Sequence, residues 1–366
     1  MTGWDRRRIG NLVATLALAA LGGAGAAALG LPVAWLLGPV LVVSAASIAG
    51  LDTRLPQGLR TLAFFILGVQ AGSGVTPAVL DQMAIWPLSF TVQMLGILVV
   101  IIVTRAFLRY GLGWDRDTAL FASLPGALSF VLAAASETRA DLPRVTIVQS
   151  VRLLILIGAL TPVLGWFEGG EDVVAASRGT DGPLTEYLLL LFVCVAAAAL
   201  GHLVRLPGGM MLGALIGSAF MHVGEFATVA IPPALAVPSL ILLGALIGSR
   251  LQGLDRKGVF ALLPAAIGSF AIGIVISAIS VAVAVLVLEI SVGKVALAYA
   301  PGALEALTVL AFQFDVDPAY VAAHHVVRFI CIALMVPLLA KHIARPGDTV
   351  AVPPEESGVD GGEDGR

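Results

Sequence analysis

Charged residues are scarce in this sequence, and their scarcity excludes most of what a soluble protein does. Asp, Glu, Lys and Arg make up 12% of the 366 residues, whereas soluble domains carry about 25%. The formal net charge is −3. A nucleic-acid face needs clustered Lys and Arg, so no nucleic-acid partner is expected. There are two cysteines, Cys194 and Cys331. Both lie within apolar runs and read as small packing residues, not as a disulfide or a metal pair. The five histidines, His202, His222, His324, His325 and His342, are scattered without a recurring ligand spacing. A metal oxidase needs converging ligands, so no metal, cofactor or catalytic centre is expected. The short alternating segments of a β-barrel are also missing.

Apolar residues are abundant. They form 58% of the chain, and the mean hydropathy is +0.99. Runs of roughly 17–25 apolar residues recur from end to end, the pattern of an all-α polytopic membrane protein. The run after Arg6-Arg7-Arg8 is about twenty residues long, too long for a signal peptide, and reads as an uncleaved first span. Residues 166–184 are polar and acidic, with Glu168, Glu171, Asp172 and Asp181. They read as a linker between residues 1–165 and 185–345. Residues 346–366 are rich in Gly, Pro and acidic residues and read as a disordered tail.

The two halves repeat each other. Residues 31–40, LPVAWLLGPV, match residues 206–215, LPGGMMLGAL. LGVQAGS (67–73) matches LGALIGS (243–249), and Pro125-Gly126-Ala127-Leu128 matches Pro301-Gly302-Ala303-Leu304. Asp141 matches Asp317, and Val151-Arg152 matches Val327-Arg328. The offset stays at 175–176 residues, which chance similarity of apolar text would not maintain in Pro, Gly, Asp and Arg.

Each half holds six apolar segments, and in each the fifth (117–136 and 293–313) is interrupted by Pro-Gly, which breaks helices. Positive charge indicates the topology. If the interrupted segments enter and leave by one side, ten spans remain and the halves are inverted. Sixteen Lys and Arg then fall inside, and Arg178 and Lys294 fall outside. Twelve full spans give 12 inside and 6 outside. The expected architecture is therefore two inverted repeats with about ten spans and two re-entrant or broken segments. Bare backbone at membrane depth is tolerated only against protein or a wet cavity. Inverted repeats bring two such breaks together near the midplane, as in secondary transporters.

Arg152 and Arg328 lie about midway along their spans. A central Arg costs about 2.5–3.5 kcal/mol on insertion scales, so both need partners. One reading is a pair of guanidinium groups facing an anionic solute; the other is Arg bonding to carbonyls freed at the Pro-Gly breaks. The candidate solute-binding residues are Pro125, Gly126, Ser129, Arg152, Pro301, Gly302 and Arg328. Glu305, His324 and His325 are candidates for coupling to H⁺ or Na⁺. Ser73 and Ser249 match and are candidates for a cavity lining. Gly68/Gly72, Gly213/Gly217 and Gly244/Gly248 have the spacing of close helix crossings.

These features together, from LPVAWLLGP and LPGGMMLGA to the paired Pro-Gly, Asp and Val-Arg, resemble the AbrB duplication membrane proteins over about residues 10–345. That family also carries an ammonia monooxygenase label. The resemblance implies a bacterial inner-membrane, multi-pass protein of two related halves. Its labels point to regulation of gene expression and to an enzyme. The residues themselves point to a secondary transporter of a small anionic solute, with a membrane sensor acting indirectly on expression as the alternative. Expected partners are the lipid bilayer, the solute and H⁺ or Na⁺; the sequence leaves a homo-oligomer open.

Overall fold

The computed structural model describes residues 6–75, 85–125, 128–136, 138–168, 182–206, 208–229, 231–254, 256–302 and 304–343. Gly126, most of the acidic linker and the 346–366 tail lie outside the described residues. Fourteen α-helices and no strand occur among those described. They are α1 (Arg6–Ala28), α2 (Ala34–Ile48), α3 (Gln57–Ser73), α4 (Trp86–Ala106), α5 (Arg116–Ser123), α6 (Leu128–Ala135) and α7 (Leu142–Glu168). After the linker come α8 (Leu184–Leu203), α9 (Gly209–Val223), α10 (Pro233–Gly248), α11 (Arg256–Leu288), α12 (Val292–Tyr299), α13 (Leu304–Gln313) and α14 (Pro318–Ile343). A π-helical turn, Phe107–Gly111, extends α4, and a 3₁₀ turn, Ser249–Leu251, extends α10.

Among the described residues, seven helices are long and apolar enough to cross a membrane: α1, α4, α7, α8, α10, α11 and α14. Their outer surfaces are apolar too. Phe192 and Leu203 on α8 and Leu286 on α11 are exposed. A helix apolar on every face suits a hydrocarbon surround. The all-helical architecture of the described residues is consistent with an integral membrane protein. Helices α2 and α9 are shorter, with 15 residues each, and α3 has 17.

Both interrupted segments are broken where Pro-Gly stands. The first becomes α5 and α6, the second α12 and α13. A residue before proline is pushed out of the α region, and both adopt extended backbone: Leu124 at φ −68°, ψ 126° and Ala300 at φ −58°, ψ 136°. Each broken segment folds back so that its two ends meet. The Asp141 backbone N–H donates to Thr118 Oγ1 at 2.7 Å, and Lys294 Nζ pairs with Asp317 Oδ2 at 2.9 Å. The matched aspartates also begin the next helices. Asp141 accepts from the Arg144 N–H, and Asp317 accepts from the N–H groups of Ala319 and Tyr320, all at 3.0 Å. They are the N-caps of α7 and α14.

The helices sort into two bundles. In the first, α1 packs on α2, α8 on α9, α3 on α9, and α10 on α2 and α3. The second holds α4 against α11, with α5 and α6 on α7 and with α12 and α13 on α14. All six glycines of the close-crossing pattern lie at helix contacts. A Cβ on Gly244 would sit 2.6 Å from Leu36 O, and one on Gly248 would sit 2.8 Å from Ser44 N. Gly68 and Gly72 face the backbone of Met211 and Leu215, and Gly213 and Gly217 face Ala197 and Cys194. Backbones approach this closely only where no side chain intervenes. The largest apolar core joins the bundles, with Leu36 and Leu240 from the first meeting Leu156, Leu297 and Leu310 from the second.

Candidate functional site

Breaking a helix frees carbonyls that hydrocarbon cannot satisfy. In both breaks the next long helix supplies the donors, in the same register. Arg152 Nη2 donates to Leu124 O at 3.0 Å, and Gln149 Nε2 to Phe121 O at 2.9 Å. In the second half Arg328 Nη1 donates to Ala300 O at 2.8 Å and Nη2 to Gly302 O at 2.5 Å. His325 Nε2 lies 3.1 Å from Leu297 O. A carbonyl only accepts, so this nitrogen carries the proton. Each tip is thus held by two successive turns of one helix. The guanidinium fork suits this task because it presents several donors in one plane.

Both arginines also line a cavity. It measures about 680 Å³ and lies where the tips meet the first bundle. The second bundle contributes Pro125, Arg152, Pro301, Gly302, Glu305 and Arg328. The first contributes Arg60 and Phe64 of α3, Arg250 of the 3₁₀ turn and Gly208 at the start of α9, and Arg54 lies in the loop before α3. The lining therefore holds five arginines and one carboxylate, Glu305. Arg152 and Arg328 are each 3% exposed, and neither is ion-paired among the described residues. Helices α6 and α13 begin directly beyond the two tips, so their positive N-terminal ends add to the same field.

The sequence-derived candidates divide as follows. Pro125, Arg152, Pro301, Gly302, Glu305, His325 and Arg328 are brought together around the cavity. Ser249 joins them, whereas Ser73 is not in the lining and donates to Gln70 O at 2.7 Å. Ser129 lies on α6, and its side chain falls outside what is described. His324 is buried in a separate cluster with Ser89, Tyr299 and Tyr320. Among the described residues no group of three or more His, Cys, Asp or Glu is arranged to hold a metal ion.

A family model described as "Transition state regulatory protein AbrB" matches residues 35–344. The chain belongs to the AbrB family. Among curated proteins it is similar to "Putative regulator AbrB" of Escherichia coli (strain K12), with 28% identity over 328 residues, covering 86% of this chain and 91% of the relative. It is also similar to "Uncharacterized protein YhjN" of Bacillus subtilis (strain 168), with 23% identity over 354 residues, 88% of this chain and 90% of the relative. The AbrB family match spans both broken segments and both tip arginines.

Sequence reasoning missed several residues of this AbrB family site. Arg54, Arg60 and Arg250 are separated from the tips in sequence and reach the cavity only through packing of the first bundle. Arg250 left one trace: it follows Ser249 directly, where the matched Ser73 is followed by Gly74. The partners of His324 left another. The chain has only four tyrosines; one, Tyr320, stands four residues before His324, and a second, Tyr299, lies next to the second break.

Proposed function

We propose that this AbrB family member is a secondary transporter of a small anionic solute, built from two inverted repeats in a bacterial inner membrane. The observation that carries this reading is the excess of arginine over carboxylate in a cavity between two helix bundles. Neutralising two buried guanidinium groups, Arg152 and Arg328, with three more arginines at the rim calls for a ligand with negative charge, such as a carboxylate or phosphate. A cavity at the junction of two bundles also suits alternating access, because rocking one bundle against the other exposes it to either side.

In this proposal ten helices span the membrane: the seven long ones together with α2, α3 and α9. The fold-back segments α5–α6 and α12–α13 are re-entrant from opposite sides. Residues 1–165 and 185–345 are the repeats. The positive-inside distribution places Arg54, Arg60 and Arg250 on the cytoplasmic side, so the cavity opens inward. Arg152 and Arg328 then have two tasks, holding the tip carbonyls and presenting their remaining donors to the anion. No enzymatic step is assigned to the site.

A second reading, a membrane sensor, is favoured by the word "regulator" in the name of the Escherichia coli relative. Binding separates both readings from a purely structural cavity. Purified full-length protein would be screened by thermal shift against phosphate, sulfate, acetate, succinate and citrate, with choline and glucose as controls. The expected result is stabilisation by at least one anion, lost in Arg250→Gln and reduced in Arg152→Gln. Stabilisation by choline or glucose alone, unchanged in both variants, would reject the anion site.

A further inference from the structure

The cluster around His324 has no part in the anion site described above, yet it is a buried polar network that joins three helices of the second bundle. Ser89 on α4 reaches three side chains from two other helices. Its Oγ lies 3.0 Å from Tyr299 Oη and 2.9 Å from His324 Nε2, and it also bonds Tyr320 Oη. Tyr299 Oη donates to Ser89 O at 2.7 Å. His324 Nδ1 lies 2.8 Å from Tyr320 O. Since that carbonyl can only accept, Nδ1 carries the hydrogen and neutral His324 presents a lone pair at Nε2. Ser89 therefore donates to His324 and accepts from Tyr320. The network ties α4 to α12 and α14.

The network lies between the Lys294–Asp317 pair and the cavity. Tyr320 is in the first turn of α14, next to the Lys294–Asp317 pair, and Lys294 Nζ sits 4.7 Å from the Tyr320 ring centre. His324 lies one turn further along α14, and Arg328 in the cavity lining lies one turn beyond that. Positions related by the repeat offset contain no such network. Ala265, Ser123 and Val148 stand where Ser89, Tyr299 and His324 would be matched, and Ala265 and Val148 are buried apolar residues.

We propose that His324 is the proton-binding site of this protein, and that neutral His324 with Ser89, Tyr299 and Tyr320 forms the lock that closes the cavity on its outer side. The assignment of this side as outer rests on the inverted-repeat orientation proposed above. A proton adds to the Nε2 lone pair, and no other bond breaks. The resulting imidazolium donates at Nε2 instead of accepting, so the serine hydroxyl hydrogen must turn away and the bond between the two reverses. The groups facing His324 offer no compensating charge. Phe90 packs on the ring at 4.3 Å between centroids, and Tyr320 does so at 3.9 Å. Tyr299 and His325 are neutral partners, Lys294 and Arg328 are cations, and Asp317 is already held by Lys294. A buried charge without a counter-charge destabilises the contact that encloses it, so protonation loosens α4 from α12 and α14. Water or the anion then reaches the site from outside.

The test needs no transported solute. In full-length protein carrying Cys194→Ala and Cys331→Ala, a single reporter, Leu304→Cys, is placed in the cavity wall. Labelling by a membrane-impermeant maleimide is compared in right-side-out and inside-out vesicles, and the ratio of outer to inner labelling cancels the pH dependence of the thiol. The expected ratio rises about tenfold from about pH 8 to about pH 5, roughly one protonation step. It stays constant in His324→Gln, is high at both pH values in Ser89→Ala, and behaves as in the parent in Ser89→Thr. Inner labelling retained in every variant verifies folding. A flat ratio in the parent, an undiminished rise in His324→Gln, or a low ratio at both pH values in Ser89→Ala would overturn the proposal. A failed anion screen beside an intact pH response would reject the anion reading alone.

Discussion

At the scale of single residues, the two buried arginines are the clearest meeting point of sequence and structure. Their matched positions and their cost in a membrane were legible, and so was the need for partners. Which partner they serve was not legible, because carbonyl binding and anion binding ask for the same planar donors. The geometry assigns one tip carbonyl to Arg152 and two to Arg328. A stranded buried carbonyl costs about 1–3 kcal/mol, so Arg328→Ala is expected to destabilise more than Arg152→Ala, by about that amount. Arg328→Lys, which places one charge without the fork, falls between wild type and Arg328→Ala. Chemical unfolding in micelles reads all three. Equal losses in the two alanine variants would contradict the unequal roles.

At the scale of elements, the Pro-Gly breaks and the helices flanking them were readable, because proline acts through local backbone geometry. The contact that closes each fold-back was not. Asp141 and Asp317 match in sequence, but their partners are Thr118 in one half and Lys294 in the other. The second contact is an ion pair with both side chains 9% exposed. Sequence reading took Lys294 only as a charge outside the membrane. Removing one member of a buried pair costs about 3–5 kcal/mol, since the other charge is left uncompensated. Lys294→Met is therefore expected to destabilise strongly, and Lys294→Met with Asp317→Asn to recover part of the loss. Asp317→Asn retains a side-chain oxygen for the α14 cap. A double variant no more stable than Lys294→Met would show that the lysine acts through other contacts. The glycine spacings were legible for the same local reason as the breaks, yet only packing reveals that Gly244 meets Leu36 and that Gly68 meets Met211.

At the scale of the whole molecule, the sorting of helices into two bundles could not be read from hydropathy, which is alike on every apolar helix. The first bundle takes three helices from each side of the linker and places Arg60 and Arg250 opposite the tips. That placement turns two structural arginines into part of a cavity with five guanidinium groups and one carboxylate. Counterflow into proteoliposomes tests the central claim most directly, using radiolabelled forms of the phosphate, sulfate, acetate, succinate and citrate panel. The account predicts that at least one anion accumulates transiently against its gradient when unlabelled anion is trapped inside. It also predicts loss of this uptake in Arg250→Gln while the protein remains folded. Anion binding without counterflow would contradict transport and favour a sensor, and counterflow unchanged in Arg250→Gln would contradict the arginine-lined cavity as the route.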